Sequence, residues 1–558
     1  MANILTPLSL WGQFDDSLDT NAEIISATET DGVVVERVSF FGRNTDDGRV
    51  KIAAAFAYDS LSPSLETVVI FSDSSETIDE GVLKFFVSRG YSALMVDYRG
   101  KWKDCNFFTE YPECVGYANT RMCGRYKDFV DESADVTSWY EWVAVGVYAC
   151  KYVRERTGGS GIAVVGWRDG GEIAWKVGAA VKLSCIIPVC AAGWKAYAGV
   201  SKYLNEEPQL DSERYRFIAG IDSQAYAPYV KCPVLMLCST NDRRFDYDRA
   251  YDTFSRINPE FLEQSAISYS VRCNSGIGEK SVNDMFMFLD KYLKKRQVFI
   301  PKPAEVTVEV DKKANLVARV NFDDRGIMEK CNVYLAEDNI VSSIREWVKC
   351  PFLEKISNHE QVFGLNIYEK CSTVYVLCHV TYSNGFTVWS KMAVKKISGK
   401  FRNMQTRCRV IYSNAGGAEG FCIASPKEVG IGGVFFPDSS ALPAAVTKAK
   451  GIKGLYCKGG LTTYRMNSPR YAPLTGSMLS LDVFTDENAA FTVTVTELST
   501  REVYVYSASI AGGVWQKLVL ECKNLKTEGG MPLAAFTPNM TLSLNCKEKF
   551  AVNNVMWL

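Results

Sequence analysis

At 558 residues, 47% hydrophobic and 23% charged, the chain is ordinary in globular composition and too long for one core, which sets an expectation of three to four domains. Its 63 lysines and arginines balance 64 aspartates and glutamates, so nothing electrostatic favours nucleic acid or an anionic membrane as a partner. Apolar runs such as residues 185–192 fall far short of a membrane span, and residues 1–7 carry neither a basic region nor a long apolar one, which implies a cytoplasmic protein.

Residues 32–41 and 50–58 alternate around an Asn-Thr-Asp-Asp-Gly turn, the pattern of a hairpin. From residue 67 the period changes. Residues 67–71 are a continuous apolar run suited to a parallel strand buried on both faces, a helix follows through residue 88, and residues 91–96 read as the next strand. Strand, helix, strand at this spacing is a βαβ unit. Residues 102–125 are long, aromatic and read as a loop over the carboxyl ends of the strands. The spacing of Trp139, Trp142, Val143, Val147, Cys150 and Val153 predicts a helix over 135–156. Strands at 161–165, 184–189, 233–238 and 267–271 follow, with helices through 181, over 247–257 and over 281–294, and a tyrosine-rich connection at 195–225 reads as a small cap. The result is a doubly wound, mostly parallel α/β domain over residues 1–297.

Pro301-Lys302-Pro303 marks a linker, 298–304, after which the helical signal fades. Strands at 306–310, 316–320, 333–336, 374–380 and 386–393 predict an immunoglobulin- or fibronectin-like sandwich over 305–398. A larger β region rich in glycine and turn residues, with strands such as 478–483 and 491–495, predicts a jelly roll over 405–558. The fold class is thus multidomain, α/β followed by two all-β domains.

The chemistry centres on Gly166-Trp167-Arg168-Asp169-Gly170-Gly171, where an apolar strand ends in Gly-x-x-x-Gly and passes at once into a helix. That is the pattern of a nucleophile elbow, whose middle residue carries the attacking hydroxyl. Here the middle residue is Arg168. A guanidinium stays protonated and has no lone pair to offer, so this turn cannot run acyl transfer. Asp169 as a carboxylate nucleophile would require a small residue where Trp167 stands.

The elbow, with Val96-Asp97-Tyr98-Arg99-Gly100, Tyr111-Pro112-Glu113, Tyr117-Ala118-Asn119 and Ser239-Thr240-Asn241-Asp242, resembles the α/β-hydrolase superfamily, and within it the acetyl xylan esterase, cephalosporin deacetylase and dienelactone hydrolase group, over about residues 30–297. The resemblance implies the chain order nucleophile, acid, histidine. Asp242 stands at the acid position, where a turn-forming role is equally open to it. The histidine is due in the loop 272–279, which holds Cys273, Asn274 and Ser275 and no histidine. The chain's two histidines, His359 in a loop and His379 in a strand pattern, both lie past the linker. Losing serine or histidine from such a triad costs on the order of a millionfold in turnover, about 8 kcal/mol. The resemblance also implies an oxyanion hole at Ser72, Asp73 and Asp169, and ligand contacts at Tyr98 and Arg99. Arg168 then either pairs with a ligand carboxylate, phosphate or acidic sugar, or salt-bridges Asp242 and plugs the pocket.

In the last domain, Gly512-Gly513-Val514-Trp515-Gln516-Lys517 and the closing Val552-Asn553-Asn554-Val555-Met556-Trp557-Leu558 resemble galactose-binding-like jelly rolls. There Tyr456, Tyr464, Tyr471 and Trp515 read either as a sugar platform or as core and rim packing. Eighteen scattered cysteines without a CxxC pair read as buried thiols, and no motif calls for a metal or cofactor. Three readings follow. The chain is a degenerate esterase that binds a saccharide, a small acidic ligand or a protein partner; or a hydrolase using Asp169, Cys273 or Glu279 with Asp242; or a scaffold for its β domains.

Overall fold

A computed structural model of the protein describes residues 4–101, 105–119, 127–159, 161–204, 209–273, 276–416, 420–423 and 444–558. The alternating segment 23–59 becomes an antiparallel run of β1 (Glu23–Thr30), β2 (Val33–Thr45) and β3 (Gly48–Asp59). From β4 (Thr67–Phe71) onward the strands are short and buried at every position: β5 (Ser92–Val96), β6 (Ile162–Trp167), β7 (Cys185–Val189), β8 (Leu235–Ser239) and β9 (Ala266–Ser270). All nine join one sheet in the order β1-β2-β3-β5-β4-β6-β7-β8-β9, parallel from β5 on. An unbroken apolar strand has no polar face to turn to water, so helices cover both sides.

Those helices are α1 (Pro7–Trp11), α2 (Glu80–Val87), α3 (Ser138–Thr157), α4 (Asp169–Ala180), α5 (Ser212–Gly220), α6 (Ser223–Tyr226), α7 (Tyr247–Phe254), α8 (Pro259–Leu262) and α9 (Glu279–Tyr292). The longest, α3, starts where the Thr137 hydroxyl accepts from the Tyr140 amide and ends at Gly158, whose φ of 68° is the left-handed cap that glycine favours. Part of the aromatic loop forms a 3-10 turn, Glu113–Ala118, while residues 102–104 and 120–126 lie outside the described residues. The connection read as a small cap holds α5 and α6, which pack against α1 and α4. The whole is a doubly wound, mostly parallel α/β unit, with the elbow at the carboxyl end of β6.

The second region is two antiparallel sheets. One holds Glu305–Val310, Leu316–Asn321, Glu360–Gly364 and Phe352–Ser357; the other holds Val348–Lys349, Met328–Glu337, Thr373–Tyr382, Thr387–Trp389 and Ala393–Lys396. Two sequence expectations change here. The single strand at 386–393 is two strands, parted at Ser390, whose hydroxyl accepts from the Cys378 amide at 3.0 Å. The hairpin spanning 352–364 escapes the alternation test because its outer strand is exposed at nearly every position. Buried side chains of the α/β unit and of this sandwich form one continuous core.

The third region has its own core. Its last strand, Met540–Trp557, is long enough to serve two layers. Its first half pairs with Ala489–Glu497, and its second half pairs with Leu479–Thr485. Its partner Ile452–Thr463 shifts register beside it at Lys458/Gly459, where Gly459 takes a φ of 96°. Among the described residues no helix is long and apolar enough to cross a membrane, and no two cysteines are joined.

Candidate functional site

The elbow keeps the backbone of a nucleophile turn. Arg168 sits at φ 51° and ψ −113°, a conformation a side chain occupies only under strain, and α4 begins at the next residue. The two glycines are sterically required. A Cβ on Gly166 would lie 2.0 Å from the Gly170 carbonyl oxygen, and one on Gly170 would lie 2.1 Å from that of Phe71. The side chain displayed there is nearly buried. Its Nη2 donates to Asp242 Oδ2 at 3.4 Å, and its guanidinium carbon lies 5.0 Å from the centre of the Trp167 ring. Asp242 also accepts from the amides of Arg244 (2.8 Å) and Phe245 (3.3 Å). Burial raises its pKa, and Arg168 pulls the other way. Asp242 therefore both forms the turn and pairs the arginine.

The expected oxyanion hole is altered in kind. The amide of Asp169, at the start of α4, donates to the carboxylate of Asp73 at 3.5 Å. Asp73 thus enters as a resident acceptor, drawn to a helix N-terminus that favours negative charge. Its outer oxygen receives the Ser75 hydroxyl at 2.7 Å and faces Arg244 at 3.4 Å. Burial and the neighbouring Asp169 both push its pKa up. Ser72 contributes its carbonyl oxygen to the Tyr98 hydroxyl at 2.6 Å.

Asp169 is held ionised and fully engaged. Lys127 (2.7 Å), Lys195 (3.0 Å) and the Ser74 hydroxyl (2.6 Å) converge on its two oxygens. Burial opposes its charge, but Lys195 and Lys127 outweigh burial and hold the carboxyl well below the usual range. Lys127 and Lys195 belong to no sequence motif; Lys195 is foreshadowed only by standing just past the carboxyl end of a strand, where open α/β sheets place their sites.

Of the remaining proposed residues, Cys273 lies near enough to Asp242 to feel its charge, whereas Glu279, His359 and His379 do not line the cavity described below. Burial lifts the Cys273 thiol to about 12, far from a thiolate at neutral pH. Glu279 opens α9 on the exposed surface. Asn274 and Ser275 lie outside the described residues. His379 is buried against Trp389, with ring centres 4.7 Å apart, and burial lowers its pKa to about 3, while His359 is exposed in a turn of the sandwich. A serine and a lysine do meet within α4 and α6: Lys176 Nζ donates to Ser223 Oγ at 3.0 Å, and burial brings Lys176 down to about 8. Both are buried and neither lines the cavity described below.

None of the four expected ligand contacts lines the cavity described below. Tyr98 and Arg99 are buried, Arg99 holding Asp97 at 3.0 Å. Tyr464 is 1% exposed and packs on Ile344 of the sandwich. Trp515 donates to the Ala449 carbonyl at 2.9 Å and packs with Phe484 and the half-buried Tyr456, whereas Tyr471 lies under Arg465. These aromatics do not share one platform, because their rings are spent on closing two different parts of the third region.

A cavity of about 520 Å³ nevertheless opens above the elbow. Arg168, Asp169, Asp242 and Cys190 line it together with Lys195, Trp194, Tyr197, Arg243 and Arg244, and residues 340–343 of the sandwich line it as well. Its volume is that of an ordinary small-molecule site, about 300–1,000 Å³. Most of its cations are matched to carboxylates, as in Arg168–Asp242, Lys195–Asp169 and Arg244–Asp73.

No family model matches the chain, and no curated protein does. Among solved structures, an acetyl xylan esterase from Paenibacillus sp. R4 is 16% identical at a TM-score of 0.37, covering 51% of this chain and 92% of that one. Acetyl xylan esterase 1 from Thermoanaerobacterium sp. JW/SL YS485 is likewise 16% identical at 0.37, covering 49% and 88%. An esterase of Pyrococcus furiosus is 16% identical at 0.32, covering 49% and 98%.

Proposed function

We propose that the α/β unit is a pseudo-hydrolase that binds a small ligand above the elbow and does not turn it over. One observation carries the reading: Arg168 occupies the nucleophile's seat and is ion-paired to Asp242. The resident Asp73 carboxylate on the Asp169 amide supports it, since an oxyanion needs that donor free. The ligand class that suits the cavity is hydroxyl-rich, a saccharide before an acidic molecule. Cations already matched to carboxylates leave little net attraction for an anion. Paired charges, by contrast, offer acceptors and donors to hydroxyls, and Trp194 and Tyr197 offer rings for stacking.

The reading is tested by thermal shift against a panel of neutral oligosaccharides, uronic acids and simple carboxylates, repeated with Arg243→Ala at the exposed rim. Binding at a hundredfold excess over Kd stabilises the folded state by about 2.7 kcal/mol. The expected result is a shift with a neutral saccharide that shrinks in Arg243→Ala. A flat response across the panel favours the scaffold reading instead.

A further inference from the structure

In the sandwich, the segment 339–347 lies on the loops that leave β8 and β9. Asn241, fully buried after β8, donates its side-chain amide to the carbonyl oxygens of Ser343 (3.2 Å) and Arg345 (2.9 Å). Arg272, in the loop after β9, donates through Nε to the Trp347 carbonyl at 2.9 Å. In return Arg345, with no exposed surface, grips Asp248 with two bonds of 2.7 and 2.9 Å and lies 3.9 Å from the centre of the Tyr375 ring. A bidentate pair fixes direction as well as distance. From the other side Glu346 pairs with Arg465 of the third region at 3.2 Å, and Ile344 packs on Tyr464. All three regions therefore clamp one short segment. Its start, residues 340–343, is held at Ser343 by Asn241 and at Ile340 by Arg345 (3.4 Å) and lines the cavity, where Val341 is 39% exposed.

From this arrangement we infer that residues 340–343 of the β-sandwich are the selecting wall of the cavity: what reaches Arg168 is decided by size at Val341 and Ser342, on a segment outside the α/β unit. The inference rests on the reading of the cavity as a ligand site. A wall pinned by buried hydrogen bonds does not swing aside cheaply, so a molecule too large for the opening is excluded rather than accommodated. Two serine hydroxyls and two aliphatic side chains at this wall add polar and apolar surface that the α/β unit alone does not supply.

Burial and Asp242 push the Cys190 thiol well above its ordinary pKa, so access to the elbow is reported instead by an Arg168→Cys background, whose thiol stands at the N-terminus of α4 and faces the cavity. The full-length Arg168→Cys protein is treated with iodoacetamide and, separately, with the bulkier N-ethylmaleimide, and modification of the introduced thiol is followed by peptide mass mapping in that background alone and with Ser342→Trp or Val341→Gly added. Ser342→Trp is expected to slow N-ethylmaleimide there by about fivefold or more, and Val341→Gly to quicken it by about threefold, with iodoacetamide moving less in both. Melting temperatures confirm that each variant is folded, and Val341→Gly carries the test if the bulky substitution does not fold. Equal rates at the introduced thiol in folded variants overturn the inference. Ester turnover by the wild type would overturn the pseudo-hydrolase reading and leave these rates unchanged, so the two failures are distinguishable.

Discussion

The elbow and the two loops facing it have been put to different use. At 166–171 the strained φ of Arg168 and the close-packed glycines of a catalytic turn are intact, although the side chain displayed there does no acyl chemistry. The loop after β8 presents Asp242 to Arg168, and both it and the loop after β9 hold the sandwich, through Asn241 and Arg272. The difference teaches which constraint each part answers to. A turn built into the middle of a buried sheet cannot relax without disturbing β4, β6 and α4 together, so its backbone geometry is fixed by packing. A loop on the rim is free to take a new partner.

The largest expected effect breaks the elbow. Gly170→Ala drives a methyl into the Phe71 carbonyl and is expected to cost at least about 3 kcal/mol, seen as loss of the folded α/β transition in urea. A neutral result would mean that the glycine spacing is incidental. On the loop side, Arg345→Met strands a buried Asp248 carboxylate and is expected to cost about 3–5 kcal/mol, with partial recovery when Asp248→Leu is added. Simple additivity of the two substitutions would deny the pair its docking role.

A smaller effect sharpens the same interface. Asp284 on α9 accepts from the Thr387 amide at 3.0 Å and the Ser268 hydroxyl at 3.2 Å, and burial raises its pKa to about 8. Its unfolded value is about 4, so the folded state holds the proton more tightly. The stability this brings is complete below about pH 4 and is lost as pH rises toward 8. The wild type should melt a few degrees lower at pH 8 than at pH 5, and Asp284→Asn should flatten that difference; an unchanged slope would remove Asp284 from the account.

Much of this was legible in the sequence, unevenly. The parallel strands and the elbow were readable because buried strands are continuous apolar runs and the glycines keep strict spacing. The loop 272–279 could be seen to lack a histidine by inspection. The Arg168–Asp242 pair, 74 residues apart, is one of the two outcomes that the family resemblance offers for the arginine, whereas Asp73 and Arg244, 171 apart, have no local pattern that encodes their contact. Tyr464 and Trp515 are ambiguous in sequence for a related reason. An aromatic ring suits stacking on a sugar and closing a core equally well, and the packing partners of these two, Ile344 for Tyr464 and Phe484 for the half-buried Trp515, lie far away along the chain.

The central claim is that the elbow binds and does not hydrolyse. It is tested most directly by measuring hydrolysis of p-nitrophenyl acetate and acetylated xylan by the wild type beside Arg168→Ser and Asp242→Ala. The account predicts no turnover above buffer in any of the three, because restoring a serine supplies neither a histidine nor a free oxyanion amide. Clear wild-type turnover that disappears in Asp242→Ala would contradict it.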